Sequence, residues 1–324
     1  MIPLTIIGGY LGAGKSTLLQ RLVREPGDRI LGLLINDFGS INIDAELIAS
    51  ADHNKVELTN GCICCSLADG FHEALETLLL RDPTPDHILV EASGVADVHS
   101  LAQYGHHPEL SLSGVLVVVD SETVRDKSKD PYVGRTITRH IEAADLIIAN
   151  KQDLASDAER EHLKKSWLAS VNPAAPILPT TNASVPIDIA LDHRVTDTTP
   201  SMLKDKNLES PEANHLIGAN RTSSHATFER WMWQHDSPCL PDDVEPFLKA
   251  IPSTIWRLKG WLETGDGILE IQKVGARHSI RARGDMQKTG QSLVAIGLAD
   301  TFESERLDQL ATQHLTTPAK DTTI

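Results

Sequence analysis

Long apolar runs are missing from this chain. No stretch approaches the about 18 uninterrupted apolar residues that a membrane-spanning helix requires, so no membrane segment is expected. Basic residues are also in short supply: 30 Lys and Arg stand against 45 Asp and Glu, a formal net charge of −15. Phosphate backbones need a basic face, which excludes nucleic acid as the main partner. Cysteine is scarce, with 4 among 324 residues. Cys62, Cys64 and Cys65 are too close together to close a useful loop, and Cys239 stands alone. No disulfide framework is therefore expected, and the thiols suit a reducing cytoplasm. The opening MIPLTIIGGY is apolar but has no basic n-region and runs straight into a glycine loop. It reads as a buried first strand rather than a signal peptide.

What is present is ordinary globular composition, 40% hydrophobic and 23% charged, in a chain long enough for two domains. Apolar runs at 4–7, 30–35, 56–58, 87–90, 114–119, 146–149 and 177–178 are dense in Val, Ile and Leu and do not alternate. That is the pattern of strands covered on both faces. Helical periodicity falls between them, near 15–25, 67–80, 131–143 and 157–169, with a short helix near 186–191. The expected fold class is α/β: a P-loop NTPase parallel sheet flanked by helices over 1–194, followed by a smaller α+β domain over 225–315. Residues 195–224, rich in Thr, Ser, Asn, Asp and Pro, read as a linker, and 316–324 as a flexible tail. The second domain is expected to hold strands near 225–233, 253–263, 267–282 and 292–298, with helices at 242–250 and 303–313.

The run IIGGYLGAGKSTLLQ contains G-x-x-x-x-G-K-S, from Gly9 to Ser16, between an expected strand and an expected helix. That context is the one a phosphate loop requires. Gly9, Gly12 and Gly14 let the backbone curl so that N–H groups face phosphate oxygens, with Ala13 among the nucleotide-binding candidates. Lys15 would reach the β- and γ-phosphates, the Ser16 hydroxyl would ligate Mg²⁺, and Thr17 completes the nucleotide-binding run.

Three further segments follow strands. Asn150-Lys151-Gln152-Asp153 suits guanine, because the Asp153 carboxylate can accept from N1–H and N2–H₂ together. Adenine would leave that carboxylate facing an acceptor, which costs about 1–3 kcal/mol or more. Asn150 would brace the loop and Lys151 lie along the base. Glu91 ends another strand and can hold the Mg²⁺ water shell, while the Gly94 N–H can sense a γ-phosphate. Asp37, in NDFG at 36–39, is a candidate for Mg²⁺ or a second metal. Lys15, Glu91 and Asp37 are thus the candidate catalytic residues.

The cluster GCICC at 61–65 leaves three readings open: a metal site, a redox centre and structural thiols. Cys62 and Cys64 project to one face of an extended segment, and thiolates suit Zn²⁺ or other soft divalent ions. Cys62 and Cys65 have thioredoxin-type spacing, but the phosphate loop is incompatible with that fold. With Asp37 as a fourth ligand, Cys62, Cys64 and Cys65 could form a tetrahedral site.

With GGYLGAGKST (8–17), NDFG (36–39), GCICC (61–65), EASG (91–94) and NKQD (150–153) in this order, the sequence closely resembles the CobW-type family of metal-handling P-loop GTPases. That family is related to the GTPases that insert nickel into urease and hydrogenase. IWRLKGWLE (255–263) and SLVAIGL (292–298) resemble its C-terminal domain. The resemblance implies GTP and GDP as ligands with Mg²⁺, and nucleotide-gated handling of Zn²⁺ or Co²⁺ for delivery to a client metalloprotein. It leaves homo-oligomerisation open. An activator whose cysteines are structural and which moves no metal is the alternative. Relatives often read N-E-F-G-E where this chain has Asn36-Asp37-Phe38-Gly39-Ser40, which shortens one acidic candidate and replaces the other with serine. The histidine-rich run many relatives carry between domains is absent here, so metal storage there is not expected. Arg125, Arg135 and Arg139 are unassigned candidates for a catalytic arginine; without one, hydrolysis is expected to be slow until a partner binds.

Overall fold

A computed structural model describes residues 1–26, 29–35, 55–59, 69–191, 228–284 and 290–316. The expected linker 195–224 and nearly all of the tail lie outside the described residues, as do Asp37, Cys62, Cys64 and Cys65.

Among the described residues, seven strands form one parallel sheet: β1 Ile2–Gly8, β2 Leu31–Ile35, β3 Lys55–Thr59, β4 His87–Glu91, β5 Leu110–Asp120, β6 Leu146–Asn150 and β7 Ile177–Pro179. Their order is β3-β2-β4-β1-β5-β6-β7. Every residue of β4 and β6 is buried, as non-alternating HILVE and LIIAN require when helices cover both faces. On one face lie α2 Asp69–Leu79, α3 Val98–Ala102, α5 Gly134–Glu142 and α6 Asp157–His162, the last continuing through a π-helical turn, Leu163–Leu168, to Val171. Phe71, Leu75, Val98, Leu101, Ile137 and Ile141 pack there onto the strands. On the other face α1 Lys15–Arg24 buries Leu18, Leu19, Leu22 and Val23, one stripe of an amphipathic helix. The short α4 Val124–Lys127 and the helix Val98–Ala102 are too brief to leave a periodic signal in the sequence. A short α7, Ile187–Ala190, closes this unit.

The second unit is a five-stranded antiparallel sheet of order β11-β10-β9-β12-β8. Its strands are β8 Phe228–His235, β9 Ile255–Thr264, β10 Gly267–Val274, β11 Arg277–Arg283 and β12 Gln291–Leu298. Helices α8 Pro241–Ala250 and α9 Ser304–Leu315 cover one face, burying Val244, Phe247, Leu248, Leu307 and Leu310. The run 267–282, read from the sequence as one strand, is a hairpin. Val274 pairs with Arg277 across a two-residue turn, and a break that short leaves no polar gap to read.

Arg257 on β9, buried, joins the units. Its Nε and one Nη donate to the carbonyls of Ile189 (2.6 Å) and Ala190 (2.8 Å), and the other Nη donates to Ser113 Oγ at 3.4 Å. Arg277 adds bonds to the buried Asp145 carboxylate, and Arg230 pairs with Asp188. The core around α1 continues across this join through Trp256 and Ile296.

Candidate functional site

The parallel strands all end at one edge of the sheet. Ile7, Glu91, Ile35 and Thr59 are register partners there, in one row across β1, β4, β2 and β3. Strand spacing of about 4.8 Å puts the two ends of that row within about 15 Å.

From this edge β1 runs into the phosphate-loop sequence. Gly9, Gly12 and Gly14 have φ of 134°, 76° and 108°, values that side-chain-bearing residues rarely adopt. Gly14 is also the N-cap of α1 in a left-handed conformation, and Leu18 N–H closes the first turn onto its carbonyl. A Cβ at Gly14 would lie 2.4 Å from Asn150 Nδ2, so the close approach of the two loops needs glycine here. Ala13 is buried, Lys15 is buried at the start of α1, and Thr17 is exposed.

Ser16 Oγ donates to Glu91 Oε1 at 2.9 Å, joining the first turn of α1 to the end of β4. Glu91 is buried. A hydroxyl and a carboxylate converging at a helix N-terminus form a hard oxygen pair suited to Mg²⁺ beside phosphates.

Asn150 braces three segments at once. Its amide NH₂ donates to Ala13 C=O at 2.9 Å, and its Oδ1 accepts from Ala183 N–H at 2.8 Å. Lys151 follows with φ of 59°, and its ammonium donates to Asp120 Oδ2 at 2.8 Å. Asp120 Oδ1 accepts from Glu122 N–H and Thr123 N–H. Burial alone would raise the Asp120 pKa, but the bond to Lys151, its charge and the Thr123 contacts outweigh burial and hold the carboxyl below its ordinary range. Gln152 Nε2 donates to Ser121 Oγ at 2.6 Å and to Ala149 C=O at 3.0 Å. Asp153 is exposed in the 3-10 turn that follows. The loop is thus fixed on all sides while its carboxylate faces outward.

Gly94 is buried against the phosphate loop, two positions before Ala96. Of the three arginine candidates, Arg125 and Arg135 are exposed, while Arg139 pairs with Asp97 at 3.2 Å. The metal candidates Cys62, Cys64, Cys65 and Asp37 lie outside the described residues; Ile35 and Lys55 are the nearest described residues on either side of Asp37, and Thr59 and Asp69 on either side of the cysteines.

Residues 3–179 match the family model described as CobW/HypB/UreG, nucleotide-binding domain, and residues 228–313 match the cobalamin synthesis protein cobW C-terminal domain. The chain belongs to the CobW/HypB/UreG family. It is 30% identical over 339 aligned residues to the zinc chaperone CobW of Sinorhizobium sp, covering 94% of this chain and 94% of that protein. It is 27% identical to the zinc chaperone YjiA of Escherichia coli (strain K12), covering 92% and 94%. A crystal structure of the Zn(II)-bound YjiA GTPase from E. coli aligns with a TM-score of 0.45 at 20% identity, over 97% of this chain and 98% of that one.

In this family member the sequence reading missed Asp120, Ser121 and Ala183. Each acts by contact with a loop about 30 positions away in the chain, and the only local signal was Asp120 closing a buried strand.

Proposed function

We propose that this chain is a GTP-hydrolysing metallochaperone, coupling its nucleotide state to the binding of zinc or cobalt and its delivery to a client metalloprotein. One observation carries the reading: the single row Ile7, Glu91, Ile35 and Thr59 at the carboxyl edge of the sheet. The phosphate loop leaves from β1, Gly94 follows β4, Asp37 follows β2, and Cys62, Cys64 and Cys65 follow β3. Nucleotide-binding and thiol-bearing segments therefore start from neighbouring strand ends. The relatives' naming as zinc chaperones agrees with this.

In this reading Lys15 and the loop N–H groups hold the phosphates, and Ser16 with Glu91 holds Mg²⁺. When bound, Mg²⁺ supplies charge neutralisation on the phosphoryl oxygens. Asp153 accepts from guanine N1–H and N2–H₂, with Lys151 held along the base by Asp120. Cys62, Cys64 and Cys65 carry the metal as cargo, with Asp37 as a fourth donor. Thiolate donors suit Zn²⁺. Loop ordering around a terminal phosphate changes the geometry beside the thiols and so their grip on the ion.

The test is a zinc titration of untagged protein with a non-hydrolysable GTP analogue and again with GDP, alongside Cys64→Ala. Different zinc affinities in the two states, with stoichiometric metal lost in Cys64→Ala but the fold kept, support the reading. Equal affinities overturn the coupling, and unchanged metal content in Cys64→Ala favours an activator with structural thiols. Delivery is read separately, as zinc-dependent activation of a client apo-metalloprotein on addition of GTP.

A further inference from the structure

The turn that follows Glu91 is held from outside the phosphate site. Ser93 C=O accepts from Ala96 N–H at 3.0 Å, closing a turn around Gly94. A Cβ at Gly94 would lie 2.7 Å from the Leu11 backbone nitrogen, so this turn sits directly on the phosphate loop. Asp97 then caps α3, its Oδ1 accepting from His99 N–H.

Helix α5 grips this turn at two consecutive residues. His140 Nε2 lies 2.7 Å from Ala96 C=O, and a carbonyl only accepts, so Nε2 carries the proton. Arg139 donates to Asp97 Oδ2 at 3.2 Å. His140 is 3% exposed, and its Nδ1 is buried with no hydrogen-bond partner among the described residues. The ring lines a cleft shared with Gly9, Tyr10, Leu11, Asp120 and Thr123, behind the phosphate loop. An apolar side chain would fill such a site without an unpaired acceptor. A histidine here is explained by its bond to Ala96. Burial holds the imidazole below its ordinary range, against the opposing effect of the Ala96 bond, with the Lys15 charge lowering it further. The ring is therefore a neutral donor.

We propose that His140 is a positioning residue of the nucleotide site: by fixing Ala96 it sets the Gly94 turn, and with it the preference for a nucleoside triphosphate over a diphosphate. The proposal rests on the reading of Gly94 as the group that faces the terminal phosphate. Arg139 is the weaker, exposed half of the same grip.

The test compares His140→Leu with His140→Gln, whose amide nitrogen reaches about as far as Nε2 and can donate in its place. The first readout is hydrogen exchange of residues 92–103 in nucleotide-free protein. Exchange should speed up about tenfold in His140→Leu and return to within about twofold of wild type in His140→Gln. The second readout is the affinity ratio of a non-hydrolysable GTP analogue to GDP. It should fall about five- to tenfold in His140→Leu with GDP affinity unchanged, and recover in His140→Gln. Should His140→Leu fail to fold, His140→Asn replaces it, since the shorter amide cannot reach Ala96 and the same losses are expected. Unchanged exchange, an equal loss of both nucleotides, or no recovery in His140→Gln overturns the proposal. A wild type that binds the GTP analogue and GDP alike removes the nucleotide-sensing reading itself, and this proposal with it. A wild type that discriminates as well as all the variants removes the proposal alone.

Discussion

Lys151 and Asp120 sit at the ends of adjacent strands, and the ammonium of one donates to the carboxylate of the other at 2.8 Å. The stem of Lys151 is thereby held in one orientation. If Asn150 to Asp153 recognise guanine as proposed, Asp120→Ala should lower GDP affinity about tenfold and leave ATP affinity unchanged, because ATP would not use the oriented loop. Fluorescent-nucleotide titration of both bases checks this. An equal loss for both would assign Asp120 a purely structural part.

Ser16 and Glu91 share one hydrogen bond at the phosphate edge. Glu91→Gln keeps an acceptor for Ser16 but removes the negative charge. Thermal stability should change by less than about 1 kcal/mol, while the Mg²⁺ concentration that half-saturates GTP hydrolysis should rise at least about tenfold. Steady-state phosphate release over a Mg²⁺ series reads this directly.

His87 is buried on β4, hydrogen-bonded to Thr5 Oγ1 at 2.8 Å. Burial holds its pKa well below the ordinary 6.5, and the charges of Arg257, Arg29 and Lys259 lower it further. The folded form thus stays neutral where the unfolded chain takes up a proton. Its contribution is complete above pH 6.5 and shrinks as pH falls toward the folded-state pKa, by about 1.4 kcal/mol per unit. Urea unfolding at pH 7.5 and 5.5 should show a larger loss for wild type than for the paired variant His87→Leu, Thr5→Val, which removes both partners.

Arg257 is buried and gives its donors to Ile189, Ala190 and Ser113. Arg257→Ala should destabilise the whole chain by about 2–4 kcal/mol, since the carbonyls lose their donors in a closed interface. Arg257→Lys should recover little, because one ammonium cannot reproduce the planar fork. Differential scanning calorimetry should show the two units melting together in wild type and apart in the alanine variant.

The nucleotide-binding unit was legible because its signals are local. Gly9 to Ser16 carry their own backbone instructions, and buried parallel strands announce themselves by unbroken Val, Ile and Leu. That Ser16 and Glu91 meet could be expected because one opens the helix after the glycine loop and the other ends a strand, and the structure joins them by a hydrogen bond. The grip of His140 on Ala96 and of Asp120 on Lys151 could not be read, since no sequence pattern relates residues 44 and 31 positions apart. The hairpin of β10 and β11 escaped for the opposite reason: its turn is too short to interrupt the pattern on either side.

The stretch from Thr180 to Leu191 supports two things at once. At one end Ala183 steadies Asn150; at the other, Ile189 and Ala190 receive Arg257, next to Trp256 and Ile296 in a shared core. For protein engineering, this makes the nucleotide-binding half a poor stand-alone reagent. Cut free after residue 191, it would bare the apolar seat of Trp256 and the two carbonyls together, and would self-associate. Swapping C-terminal halves between relatives should succeed only when residues 180–191 travel with the half they grip.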